Sequence, residues 1–361
     1  MAVSRINEAG LNINQYGNRN FIINGAMQVA QRGTSSTGVG ATNNHYPTCD
    51  RWEIETGNSA GRATMTQESD GPDGFANSIK LACTTADTSI AADEVFRLQQ
   101  VIEAQNLQSL AKGTSSAKQF TLSFYVKGNA AATYNVEIYD LDNTRHICAS
   151  FNVTTSWNRI SLTFAGDTTG AINDDNGGGF QVGIYLHEGS NYTSGTLATS
   201  WASVSNANRS DSNNTSFFDS TSRTFFITGV QLEVGDTATD FEHRSFGQEL
   251  ALCQRYCVDL TPTSAPYIPA TGAVPHNNTT VAVAHVALPV TMRAAPSVSI
   301  TTASDYSIYD GSSFTCNAVA TNGLSPNGGG INFGVASGLT AREAVGIYTN
   351  GDKRTLLLAE L

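Results

Sequence analysis

Acids on tight loops and acids facing each other across a groove do different chemistry, and this chain offers both. Asp70-Gly71-Pro72-Asp73-Gly74 and Asn173-Asp174-Asp175-Asn176 each set hard oxygen donors on a short turn. Such turns suit a structural Ca²⁺ held by Asp70, Asp73, Asp174 and Asp175, although neither follows the EF-hand loop pattern. The plainer reading is an Asx turn, in which the side chain bonds its own backbone two residues on. Asp140, Asp142, Asp174, Asp175 and Glu188 form the pool from which a polysaccharide-cutting pair would come. That chemistry needs two carboxyls about 5 to 10 Å apart across a sugar groove, and no spacing in the sequence pairs any two of them.

Sugar binding without cleavage asks for exposed rings backed by amides. Trp201, Tyr192 and Tyr185 lie near Asn191, Asn206 and Asn208 in a Ser/Asn/Thr-rich stretch. Trp201 stands outside any clear strand, so it is the candidate platform, with Tyr192, Tyr185 and Asn191 around it; the competing reading is a packing plug. Trp52 and Trp157 sit beside alternating strands and read as core. Other reactive constellations are missing. The run Gly57-Asn58-Ser59-Ala60-Gly61 has the G-x-S-x-G spacing but lies in a β-rich stretch without the strand–turn–helix context of a nucleophile elbow, and no Gly-rich loop runs into G-K-S/T. The histidines at 45, 146, 187, 243, 276 and 285 show no H-x-x-x-H spacing. The six cysteines show no C-x-x-C pair and read as small buried apolar residues. The expectation is a protein without catalytic residues, whose one candidate cofactor is that Ca²⁺.

The bulk composition points the same way. Charged residues are 14% of the 361, against about a quarter in an ordinary globular chain. Gly, Ser, Thr and Asn replace them, giving a neutral surface of hydroxyls and amides and the backbone freedom that turns need. A net charge of −11 with no Lys/Arg cluster argues against a nucleic-acid partner. No apolar run has the length of a membrane span. Residues Ala2 to Arg19 lack the apolar stretch of a signal peptide, so assembly in a cytoplasm is expected.

Strands must position whatever chemistry there is. Phe120-Thr121-Leu122-Ser123-Phe124-Tyr125-Val126 puts Phe120, Leu122, Phe124 and Val126 on one face. Residues 51–55, 78–83, 134–139, 146–153, 158–164, 179–186 and 225–233 have the same rhythm, with Gly/Asp/Asn loops between them. Residues 96–103 start on a two-residue period and 104–110 read as a short helix. About ten such strands describe a β-sandwich or jelly roll. Ser245-Phe246-Gly247-Gln248 opens a capped helix over residues 245–257. Beyond it, residues 258–361 return to β, after a Pro-rich connection that cannot be helical. Residues 1–19 have no periodicity and read as an extended arm.

Several segments resemble a widespread group of tailed-phage virion proteins of the tail fibre and appendage type. They are Asn20-Phe21-Ile22-Ile23-Asn24-Gly25-Ala26-Met27-Gln28-Val29-Ala30-Gln31-Arg32-Gly33, Tyr46-Pro47-Thr48-Cys49-Asp50-Arg51-Trp52, the run from Ile227 to Tyr256, and Leu288 to Ser299. The resemblance implies an all-β chain: an N-terminal extended arm (1–19), a jelly-roll β-sandwich like a carbohydrate-binding module (20–244), a short linking helix (245–257) and a smaller C-terminal β-sandwich (258–361). It implies a place in the virion, self-association as a homotrimer, docking onto other tail or head proteins through the arm, and contact with a host surface glycan. It supplies no receptor residues. A purely architectural collar, decoration or tube-proximal protein is the alternative, and a polysaccharide depolymerase the third reading. Near the end of the first domain, Asp50 and Arg51 are expected to lock onto the corner Phe241-Glu242-His243-Arg244, since a guanidinium fork wants carboxylates.

Overall fold

The computed structural model describes residues 18–41, 44–261, 272–275, 279–350 and 353–361. The expected N-terminal arm therefore lies outside the described residues, apart from Asn18 and Arg19. The chain divides into two compact units, one ending at Phe246 and the other running from Gly247 to Glu360, with Leu361 grouped with the first.

The first unit carries strands β1 Ser35–Val39, β2 Glu53–Gly57, β3 Arg62–Glu68 and β4 Ser78–Thr85. Next come β5 Val95–Glu103, β6 Phe120–Gly128, β7 Ala132–Asp140 and β8 Arg145–Val153. The set closes with β9 Asn158–Phe164, β10 Gly178–Glu188, β11 Ala202–Ser203 and β12 Thr224–Val234. They form two six-stranded sheets, ordered β1-β3-β4-β12-β6-β9 and β11-β8-β7-β10-β5-β2. Every pairing is antiparallel. This is the all-β jelly roll that the alternation predicts, and residues 104–110 form the expected short helix, of 3₁₀ type.

Alternation explains the core. On β6 the residues Phe120, Leu122, Phe124 and Val126 point inward; on β5, β7 and β10 the inward set includes Leu98, Val136, Ile138, Val182 and Ile184. Trp52 and Ile54 close the β2 edge, fully buried. Aromatic pairs such as Phe124 with Phe151 and Tyr134 with Phe225 meet edge to face at 5.1 and 5.6 Å. Trp157 departs from expectation: it is half-buried on the outer side of the first sheet, edge-on to Phe226 at 6.2 Å with Lys127 over its face. Residue 157 precedes β9 rather than belonging to it, so strand parity never assigned it to the core.

The entry segment 20–33 is not a strand. Asn20 and Asn24 hold it by side-chain bonds that mimic a ladder. Asn20 Oδ1 accepts from the Ile22 and Leu232 amides, and its Nδ2 donates to the Val230 carbonyl. Asn24 Nδ2 donates to the Val29 and Asp50 carbonyls while its Oδ1 accepts from the Val29 amide. Gly25 is required here, because a Cβ would sit 2.1 Å from the Val230 carbonyl oxygen. The corner 241–244 is locked by this segment: Glu242 accepts from the Asn20 amide at 2.8 Å and Arg244 donates to the Ile22 carbonyl at 3.1 Å. Asp50 accepts from the Gln31 amide at 3.0 Å, and Arg51 donates to the Val101 carbonyl at 2.6 Å.

The helix runs Phe246–Gln254, all but its first residue in the second unit, with Glu249 and Cys253 buried. Three small antiparallel sheets follow, of three, four and three strands. They share a core that includes Ala282, Ala284, Tyr306, Ile308, Ile331, Phe333 and Leu357. All six cysteines are buried thiols with no disulfide between them. Burial raises the Cys49, Cys83, Cys148 and Cys316 thiols above their ordinary range.

Candidate functional site

The second sheet has an unusual outer face. Strand parity puts Ile54, Leu98, Ile184 and Val136 in the core, so Glu53, Glu55, Arg97, Gln99, Tyr185, Glu137 and Asn135 face away from it. The register aligns Glu55, Arg97, Tyr185 and Asn135 in one row across four strands. Yet β5 and β10 are buried along nearly their whole length. The connection between β10 and β12, residues 189–223, straps across this face and adds β11 to the sheet edge at β8.

The strap is clamped by an ionic cluster. Arg97 donates to Glu55 through Nε at 2.8 Å, to the Tyr185 hydroxyl at 2.5 Å and to Glu137 at 3.5 Å. Arg209, from the strap, donates to Glu137 Oε2 at 3.0 Å and to the Tyr185 hydroxyl at 3.2 Å. Tyr185 donates to the same carboxylate at 2.9 Å, and His146 Nδ1 bonds its other oxygen at 2.7 Å. Burial alone would raise the Glu137 carboxyl. The bond from His146 and the Arg209 and Arg97 charges outweigh it and hold Glu137 below the usual carboxylate range.

Toward the end of β10 the strap is held differently. Glu188 Oε1 accepts from Ser210 Oγ and Asn214 Nδ2, and Ser210 accepts from Asn135 Nδ2 at 2.8 Å. Among the described residues, buried Glu188 Oε2 has no hydrogen-bond partner. Burial pushes the Glu188 carboxyl up to about 7, only partly offset by the bonds from Ser210 and Asn214.

The expected site residues fall into three groups. Tyr185 is fully buried inside the clamp and is no platform. Trp201 is a plug: its Nε1 donates to the Ala165 carbonyl at 2.7 Å, and the ring packs against Phe120 and Phe180 beneath Lys112. Asn191 is exposed and Tyr192 half-buried on the short helix Ser190–Thr193 at the start of the strap. Of the acids, Asp175 accepts from the Gly177 amide at 2.9 Å, an Asx turn, while Asp174 and Asp73 are exposed. Asp70 accepts from Lys127 at 2.6 Å and Trp157 at 3.2 Å, and the Lys127 bond lowers its carboxyl. Asp142 accepts from the Asn173 amide at 3.0 Å, and buried Asp140 pairs with Lys112 at 2.5 Å. The structure brings none of these acids into a shared cation cage. Among the described residues, the groups of three that could hold a metal are Glu137, His146 and Cys148, and Asp87, Glu94 and His187.

Sequence reasoning missed the clamp. Its signal was present as polar residues at alternate positions on apolar strands: Arg97 and Gln99, Asn135 and Glu137, Gln181 and Tyr185. Parity marks them as facing away from the core; what it omits is that a distant segment covers them.

No family model matches the chain, and no curated protein matches it either. Among solved structures, a CBM4 structure aligns over 59% of this chain and 98% of its own, at 17% identity and a TM-score of 0.31. The family 11 carbohydrate-binding module from Clostridium thermocellum aligns over 58% and 98%, at 12% identity and a TM-score of 0.28. The enzymatically active domain of Bacteriophage CBA120 tailspike protein 4 aligns over 60% of this chain and 22% of that one, at 13% identity and a TM-score of 0.28.

Proposed function

We propose that this chain is a structural protein of a tailed-phage particle, a tail fibre or appendage, and that it contributes to host attachment by holding a neutral polar surface against host glycans. The observation that carries the reading is the two-sided strap. Its inner side is bolted to the sheet by Arg209, Ser210 and Asn214. Its outer side exposes Asn191, Ser194, Thr196, Ser203, Asn206 and Asn213. Between 189 and 218 the only charged residues are Arg209 and Asp211, and Arg209 is buried. Hydroxyls and amides on a fixed backbone match the hydroxyls of a sugar, and a surface already rigid loses little entropy on binding. The chemistry proposed is contact rather than hydrolysis. Glu137 is fully engaged by two guanidiniums, a tyrosine and an imidazole and is not available as a nucleophile.

Self-association as a trimer and docking through residues 1–19 belong to the same proposal. Truncation of those residues should leave a folded protein that no longer joins particles.

The test is competition. The purified chain should bind host cells and reduce infection, and the combined Asn191→Ala, Ser203→Ala, Asn213→Ala variant should lose that binding with its melting temperature unchanged. A variant that binds as well as the parent removes the strap from the contact. A parent that neither binds cells nor blocks infection makes the chain architectural, and shortened host polysaccharide after incubation makes it a depolymerase.

A further inference from the structure

Asp87, Glu94 and His187 come from three separate parts of the first unit. Asp87 lies two residues past β4, Glu94 immediately precedes β5, and His187 is on β10. One donor atom from each lies within 4.8 Å of the other two. All three are buried, at 6%, 4% and 1% exposure. His187 Nε2 faces Glu94 Oε2 at 2.9 Å, while its Nδ1 is taken by Ser216 Oγ at 2.8 Å, which fixes the ring. Asp87 is oriented by the Ala60 amide, 2.9 Å from its Oδ2.

The charge does not balance. Among the described residues no Lys or Arg pairs with Asp87 or Glu94; the one ion pair either makes is to His187. With both carboxyls ionised, even a protonated imidazole would leave one excess negative charge among buried groups beside Phe218, whose ring lies 5.1 Å from His187. Buried carboxylates are ordinarily paired or bound to a metal. A divalent ion on two carboxylates and one neutral imidazole brings the sum to zero, and Ser216 then does what outer partners of a metal-bound histidine do.

We propose that Asp87, Glu94 and His187 form a binding site for one divalent transition-metal ion of the zinc class. The imidazole is what selects that class: Ca²⁺ and Mg²⁺ prefer shells of oxygen. The second group, Glu137 with His146 and Cys148, is a poor rival, because Arg97 and Arg209 already neutralise Glu137 and would repel a cation. This site is independent of whether the strap binds glycans.

The experiment uses the full chain stripped with chelator, then titrated with Co²⁺ and with Zn²⁺. Co²⁺ should saturate at one equivalent with visible d–d absorption and no thiolate charge-transfer band, and Zn²⁺ should raise the melting temperature by several degrees. Glu94→Gln and Asp87→Asn should abolish both effects, and each stripped variant should melt no lower than the stripped parent. The Asp174→Asn, Asp175→Asn double variant should keep both. No visible band on the parent protein together with no Zn²⁺-dependent shift overturns the proposal, whether or not the variants fold. So does a thiolate band, which would put the ion at Cys148, or a metal response that survives Glu94→Gln.

Discussion

The middle of β10 and its end solve one problem in opposite ways. In the middle, Glu137 is buried with two arginines and a tyrosine around it; at the end, Asp87, Glu94 and Glu188 are buried and, among the described residues, no guanidinium or ammonium pairs with any of them. Both regions contain a histidine–glutamate contact, at 2.7 Å for His146–Glu137 and 2.9 Å for His187–Glu94. Geometry alone would call them equivalent; the charges around them make the first a closed lock and the second an open account of negative charge. A buried polar group is read by its neighbours' charge before its own bond lengths.

Truncating the lock should have the largest effect. Glu137→Ala strands Arg97 and Arg209 together and should cost about 3–5 kcal/mol, as breaking buried ion pairs does; urea unfolding measures it. Glu94→Ala in metal-free protein should cost far less, and equal losses at the two positions would erase the contrast.

Glu188 comes next. Its carboxyl titrates near 7 in the fold against about 4.5 when free. The folded chain therefore holds this proton more tightly, so its contribution is present in full below about pH 4.5 and is lost as pH rises through 7. The shift corresponds to about 3 kcal/mol. Glu188→Gln should leave stability near pH 4 nearly unchanged and raise it by that order at pH 8; a pH-independent difference would remove the carboxyl's titration from the account. Glu137 and Asp167 run the other way, since their lowered carboxyls lose their contribution only in acid.

The smallest effect belongs at the start of β10, where Trp201 closes over Phe180. Trp201→Phe removes the bond to the Ala165 carbonyl and should cost about 1 kcal/mol, with cell binding unchanged. Loss of binding without loss of stability would turn the plug back into a platform.

What the sequence made legible follows from which forces are local. Phe120 to Val126 announces both its strand and its buried face, because alternation is a property of neighbours. The Asn20 and Asn24 brackets look like a strand or a turn pair in the sequence, since their partners at Leu232, Val230 and Asp50 are far along the chain. Tyr185 carried the right chemistry and was given the wrong exposure: nothing near residue 185 says that residues 209–214 lie over it. His187 was hidden by an irregularity in register between Tyr185 and His187, which turns the ring toward Phe96 and Phe218 and away from the clamp. Histidine spacing along the chain could not find a site whose members are 87, 94 and 187, brought together only by the order of strands.

The six cysteines have a consequence for the molecule in an oxidising medium. Each thiol is enclosed, and those at 49, 83, 148 and 316 resist ionisation, so the form that attacks disulfides or oxidants is scarce. Passing from a reducing to an oxidising medium should leave the fold as it was, with no bridge to form in the wrong place and none to be reduced. Copies held together at high concentration in air should run as monomers on a non-reducing gel.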